Sequence, residues 1–261
     1  MNETPRTNAL QETVESGEAA LGVLDNAYSP TMVEFYGELG LDFVWLDLEH
    51  AGPSPADGPS LEHLLRAAER SGVEALVRLP EPDPALVRKA LDAGARNLFV
   101  SRIETAEEVR QAVRAARFRY DGEPGDRGMA SPRASRWGTA DDYVDVEDAE
   151  TMVGVTIENP TAIENLDEIL DVPELGFVFA GPLDISVALG YPGEPTHPEV
   201  EEAVEEIETA AFDADVPLGG LGFGPDDVSA KIDRGYRILN VGTTTGAVQQ
   251  SVTGWLDEIE R

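Results

Sequence analysis

The side chains with the widest chemical reach in this 261-residue chain fall in four short segments: Asp47-Leu48-Glu49-His50, Arg78-Leu79-Pro80, Glu158-Asn159-Pro160 and Gly181-Pro182-Leu183-Asp184. Each follows a short apolar run of the kind that forms a buried strand. Glu158 and Asp184 make an incomplete oxygen set for a hard cation, with further positions open to water or substrate oxygens. Such a set suits Mg²⁺ or Mn²⁺ holding a bidentate 2-keto acid. Taken singly, each carboxylate also reads as an acid at a helix N-terminus. Arg78 ends the run Ala75-Leu76-Val77, where a permanent charge calls for an anion, either a substrate or a neighbouring carboxylate. His50 lies beside acids, as a general base near neutral pH would, although an ordinary loop histidine fits the spacing too. His63, within Glu62-His63-Leu64, reads as a helix surface or packing residue, and His197, before Pro198, as a turn or cap.

The elements that position these residues follow from periodicity. Strand-like runs over 20–24, 42–47, 74–79, 97–100, 152–157, 176–180, 216–219 and 237–241 alternate with helical patterns over 29–39, 61–70, 84–93, 106–116, 162–170, 198–211, 225–233 and 247–259. In the sixth helix Val200, Val204, Ile207 and Ala211 form an apolar stripe and five glutamates take the remaining faces. Eight such units predict a single-domain (β/α)₈ TIM barrel over residues 1–261, whose active site is built at the C-terminal ends of the strands. A doubly wound sheet is disfavoured because the first turn, Asp25-Asn26-Ala27-Tyr28-Ser29-Pro30, lacks G-x-G-x-x-G. One long irregular stretch, 118–142, is expected to be functional and to lie near the site.

Composition bounds the function. With 51 Asp+Glu against 19 Lys+Arg the net charge is −32, which excludes nucleic acid and anionic membranes as partners. No cysteine is present, so disulfides, zinc thiolates and thiol nucleophiles are excluded. Neither a basic, apolar leader in Met1-Asn2-Glu3-Thr4-Pro5-Arg6 nor a long apolar run is seen, and a soluble cytoplasmic protein is the expectation. Lys89 and Lys231 are the only lysines, and acid excess with lysine depletion predicts adaptation to a salt-rich cytosol. Both lysines fall in predicted helices on the outside of a barrel, which argues against a Schiff base and leaves a metal as electron sink. Nine of the seventeen arginines lie between Arg96 and Arg136, where a positive lining for an anionic substrate is expected.

The blocks 40–50, Val77-Arg78-Leu79-Pro80, Leu91-Asp92-Ala93-Gly94-Ala95, Arg133-Ala134-Ser135-Arg136-Trp137, Ile157-Glu158 and Gly181-Pro182-Leu183-Asp184-Ile185-Ser186 occur in this order. Together they resemble the HpcH/HpaI aldolase family of metal-dependent class II pyruvate aldolases, relatives of citrate-lyase β-type and malyl-CoA lyases. The resemblance spans nearly the whole chain. It implies reversible cleavage of 4-hydroxy-2-keto acids of the 2-keto-3-deoxy sugar-acid type to pyruvate and an aldehyde. It further implies Glu158 and Asp184 as ligands of Mg²⁺, Mn²⁺ or Co²⁺, Arg78 as the charge on the enolate oxygen, His50 as base and Asp92 as the carboxylate supporting His50. For Asp92 a helix-surface acid is the alternative. Thr156 and Leu183 differ from the Gln and the small residue common in relatives at the substrate, and Ser101 stands where Pro is frequent, so the aldehyde and donor are left open. Relatives bury one barrel helix in a neighbouring subunit and assemble as hexamers, which this chain is expected to share. An acyl-CoA lyase or a catalytically silent acidic barrel are the competing readings.

Overall fold

A computed structural model describes residues 7–259; the N-terminal segment weighed above for a leader lies outside the described residues. Eight parallel strands close into a barrel: β1 (Ala20–Leu24), β2 (Phe43–Asp47), β3 (Glu74–Leu79), β4 (Asn97–Val100), β7 (Met152–Ile157), β8 (Phe177–Ala180), β9 (Leu218–Leu221) and β10 (Ile238–Thr243), which pairs back to β1. Strands of a barrel are buried on both faces, so they read as continuous apolar runs rather than alternating ones. For that reason no predicted strand end is displaced by more than two residues. Between them run α2 (Pro30–Glu38), α3 (Gly58–Ser71), α4 (Pro84–Ala93), α5 (Ala106–Ala116), α7 (Pro160–Glu164), α8 (Leu166–Leu170), α10 (Pro198–Asp213), α11 (Pro225–Arg234) and α12 (Thr244–Glu258). The expected TIM barrel is thus present.

Local chemistry sets the helix ends. Thr105 caps α5 in a reciprocal box with Glu108, and Gly72, Gly94 and Gly235 end α3, α4 and α11 with positive φ. The predicted helix 162–170 is two short helices instead. Its chain leaves helical geometry at Asn165 (φ −100°, ψ 13°), whose amide donates to the Glu104 carbonyl at 2.8 Å. The barrel interior is filled by Trp45, Phe99, Phe177 and Phe179 among others. Gly154 leaves room for such rings: a Cβ there would come within 2.5 Å of the Phe177 ring. A helix not anticipated from the sequence, α1 (Ala9–Glu15), inserts Leu10 and Val14 into this interior cluster. It is held by the Asn8 side chain, which donates to Asn97 Oδ1 at 2.7 Å.

Chain direction overturns one expectation. A strand runs from the bottom of the barrel to its mouth and the following helix returns to the bottom. Residues 117–142, together with the small hairpin β5 (Arg119–Tyr120) and β6 (Glu123–Pro124) and the helix α6 (Tyr143–Glu150), connect the end of α5 to the start of β7. They therefore lie at the bottom, remote from the mouth of their own chain, and none of the arginines there lines its cavity. Four arginines at this end are held by carboxylates: Arg96 by Glu147 (3.3 Å), Arg117 by Glu174 (2.7 Å), Arg127 by Glu147 (2.8 Å), and Arg133 by Glu69. Among the described residues no helix is long and apolar enough to cross a membrane.

Candidate active site

The C-terminal ends of the strands surround a cavity of about 680 Å³ whose lining includes His50, Arg78, Thr156, Glu158, Leu183 and Asp184. Four of these six were singled out in the sequence by strand-end position and resemblance, and Thr156 and Leu183 by their departure from the family pattern. Arg78, the penultimate residue of β3, lies directly beside the last residue of β2, because parallel register pairs Asp47 with Arg78. Its Nε and Nη2 donate to the two oxygens of Asp47 at 2.8 and 2.7 Å, and Nη1 lies 3.2 Å from Glu49 Oε2. The guanidinium also sits 4.8 Å from the Trp45 ring centroid. Burial alone would raise the Asp47 carboxyl, but the hydrogen bonds and charge of Arg78 hold it below the ordinary range. The salt-bridge reading of Arg78 is thus realised, and the residue lines the cavity as well. A cation clamped on one side by a bidentate carboxylate has little freedom left, so it is a pre-organised charge for an oxyanion.

Glu158 follows β7 and is 7% exposed. Oε1 accepts the Arg102 backbone N–H at 2.7 Å. The helix-cap reading does not hold for it, since Asn159 supplies the cap of α7 by accepting from Ala162 N at 2.9 Å. Burial pushes the Glu158 carboxyl from 4.5 up to about 7; the Arg102 N–H and Arg78 oppose this, while Asp184 and Glu49 add to it. Asp184 is exposed in the first turn of α9 (Pro182–Ala188) and lines the same cavity. A buried carboxyl that resists ionisation next to a second carboxylate is a donor pair that a cation would satisfy. The two residues therefore fit a divalent metal. No group of three or more His, Asp or Glu suited to a metal occurs among the described residues, so the remaining ligands would be water and substrate.

His50 is half-exposed at the cavity, with Nε2 3.6 Å from Glu49 Oε2. Glu49 in turn bonds Arg102 Nε at 3.0 Å. Trp45 and Arg102 were not singled out from the sequence, and Asp47 and Glu49 were placed at the mouth without a role. The signal for Asp47 was available, because strand ends in adjacent parallel strands meet. Asp92 is not brought to His50 within the chain: it lies in the last turn of α4, at the bottom, where Arg127, Lys89, Glu147 and Arg88 act on it. Helices run antiparallel to strands, so a residue at a helix C-terminus faces away from the mouth. Lys89 and Lys231 lie on α4 and α11, and neither lines the cavity. His63 is exposed on α3, and His197 caps α10 through Nδ1, which accepts from Glu199 N at 3.3 Å.

The model of HpcH/HpaI aldolase/citrate lyase matches residues 22–251. The chain belongs to this family. It is 34% identical over 239 residues to the 2-keto-3-deoxy-L-rhamnonate aldolase of Escherichia coli K12, covering 92% of this chain and 88% of that protein. Among solved structures, an HpcH/HpaI aldolase/citrate lyase family protein from Burkholderia cenocepacia J2315 superposes with a TM-score of 0.90 at 31% identity, covering 97% and 99% of the two chains. An HpcH/HpaI aldolase from Desulfitobacterium hafniense DCB-2 superposes at 0.85 with 28% identity, covering 96% and 97%. As an HpcH/HpaI family member the chain is a carbon–carbon lyase. Two of its departures from the family pattern sit in the cavity. Thr156 is 3% exposed with its hydroxyl unpartnered, and Leu183 is exposed at the rim.

Proposed function

We propose that the protein is a metal-dependent aldolase that cleaves 4-hydroxy-2-keto acids of the 2-keto-3-deoxy sugar-acid type, reversibly, to pyruvate and an aldehyde. The observation carrying this reading is the convergence of a buried Glu158, Asp184, a clamped Arg78 and an accessible His50 on one cavity of a family aldolase barrel. When bound by Glu158 and Asp184, Mg²⁺, Mn²⁺ or Co²⁺ supplies a Lewis acid for the carboxylate and keto oxygens of the substrate. Arg78 places fixed positive charge where the C2 oxygen becomes an enolate oxygen. His50, directly or through a water, takes the proton of the 4-hydroxyl; the C3–C4 electron pair passes to the enolate and the aldehyde departs. Return of a proton to C3 gives pyruvate, and condensation is the reverse.

Asp92 supports His50 only from another copy of the chain. That fits assembly through α12, on which Val248, Val252, Trp255 and Leu256 are all exposed. We read the assembly as the hexamer that the resemblance implies, in a soluble, salt-adapted, cytoplasmic enzyme. The acyl-CoA lyase alternative is disfavoured because the relative matched at 34% identity is a 2-keto-3-deoxy-L-rhamnonate aldolase.

The test is pyruvate release from 2-keto-3-deoxy sugar acids in molar KCl. EDTA should abolish release and Mg²⁺, Mn²⁺ or Co²⁺ restore it. Full activity after chelation would reject the metal-dependent reading, and turnover of CoA thioesters alone would reject the substrate class.

A further inference from the structure

Asn240 stands where the ladder between β1 and β10 slips. Gly22 pairs with Asn240 but Leu24 pairs with Thr243, so β10 carries one extra residue over this step. The Asn240 side chain closes the gap, its Oδ1 accepting from Leu24 N at 2.9 Å. Only the oxygen of an amide can accept from an N–H, so this bond also decides which end of the side chain is free. Asn240 is 4% exposed and lines the active-site cavity, and among the described residues nothing accepts from its Nδ2, which is open to that cavity.

The other side chains that β1, β9 and β10 add to the lining are Val23, Leu24, Leu221, Val241 and Thr243, whose hydroxyl caps α12. Gln250 borders the cavity from α12, but it is exposed and can turn to solvent. Asn240 is anchored and cannot. An anchored N–H among apolar neighbours costs little while water fills the cavity. It becomes costly when an apolar ligand displaces that water, and it is satisfied again when a ligand oxygen takes the water's place.

In the aldolase reading the 2-keto acid head lies on Arg78, Glu158 and Asp184, at the β3, β7 and β8 side of the mouth, and the 4-hydroxyl meets His50, which follows β2. Around the barrel β2 adjoins β1, and β1 adjoins β10. The substituent beyond C4 therefore continues onto the wall that holds Asn240. We propose that Asn240 is a specificity-determining residue whose Nδ2 donates to a hydroxyl of the aldehyde portion, favouring hydroxylated aldehydes over alkyl ones of equal length. An alkyl chain in the same place strips water from the amide and offers it no acceptor. The inference rests on the aldolase reading above and assigns recognition of the sugar-acid tail to one side chain.

The experiment uses the full chain with Mn²⁺ in molar KCl. It measures kcat/KM for condensation of pyruvate with glyceraldehyde and with propanal, alongside deuterium exchange at the pyruvate methyl, which needs no aldehyde. The readout is the ratio of the two kcat/KM values, in which the folded fraction of a preparation cancels. Comparing variant with wild type also cancels the intrinsic reactivity of the two aldehydes. The wild-type ratio should favour glyceraldehyde by roughly tenfold or more. Asn240→Leu, similar in size but without a donor, and Asn240→Ala should each lower it by about tenfold. With exchange and condensation present in wild type, three results overturn the inference and leave the aldolase reading standing: no preference for glyceraldehyde, a ratio unchanged in both variants, or loss of both condensations in both variants. Absence of exchange and of condensation with either aldehyde in wild type overturns both.

Discussion

The two ends of the barrel use the same residue types to opposite effect. At the mouth, Arg78 is buried against Asp47 and Glu49 and still borders an open cavity, beside a Glu158 whose burial makes its charge costly. At the bottom, Arg117 is just as buried, but its Nε bonds Glu174 and its Nη1 the Thr151 carbonyl, both at 2.7 Å, so its charge is absorbed within the fold. Burial of an arginine therefore does not distinguish catalysis from architecture. What distinguishes them is whether the ion pair leaves a face toward a cavity that also holds a carboxylate left without a counter-cation.

Substitutions can break that contrast. The largest effect is expected at the mouth. Arg78→Lys, which keeps a charge for Asp47 but loses the bidentate clamp, should lower kcat by about 10²- to 10³-fold. Near wild-type turnover would make Arg78 structural. For His50→Ala, cleavage should fall about 10²-fold or more while deuterium exchange at the pyruvate methyl falls less; equal losses would reassign the base. At the bottom, Arg117→Ala should cost about 2–4 kcal/mol in denaturant unfolding, with kcat of the folded protein unchanged. A catalytic loss without a stability loss would invert the comparison.

Asp47 links the two kinds of effect. Its folded-state carboxyl is held below the ordinary 3.8, so its pairing contributes stability above that value and loses it as the pH falls through the depressed folded value. The deficit of Asp47→Asn at pH 7 should accordingly shrink in unfolding curves taken progressively below pH 3.8. A deficit independent of pH would mean that packing, and not the ion pair, is what Asp47 supplies. The smallest effect is expected at Arg119, which pairs with Asp145 at 2.5 Å on an open surface. Arg119→Ala should leave the melting temperature in molar KCl unchanged, since exposed pairs are screened.

Much of this architecture was legible in the chain. The strands were, because burial on both faces writes them as unbroken apolar runs, and the order of strand and helix then fixed which segment ends share the mouth. That logic brought His50, Arg78, Glu158 and Asp184 together without any contact being known. It failed where connections were judged by composition instead of direction. Glycines and arginines in 118–142 suggested a site loop, whereas its position after a helix puts it at the bottom. The partners of its neighbouring arginines were hidden because they are distant in sequence, as Arg117 and Glu174 are. Asp92 was carried over from a motif that does not say which copy of the chain it serves.

On this reading Glu158 and Asp184 form one cation site at the mouth that senses the 2-keto acid. The direct measurement is the Mn²⁺ electron paramagnetic resonance signal in molar KCl, with and without pyruvate, for wild type and Glu158→Gln matched by circular dichroism. Wild type should hold about one tightly bound Mn²⁺ per chain whose spectrum changes on adding pyruvate, and the variant should lose both features. A Glu158→Gln protein that binds Mn²⁺ and responds to pyruvate as wild type does would contradict it.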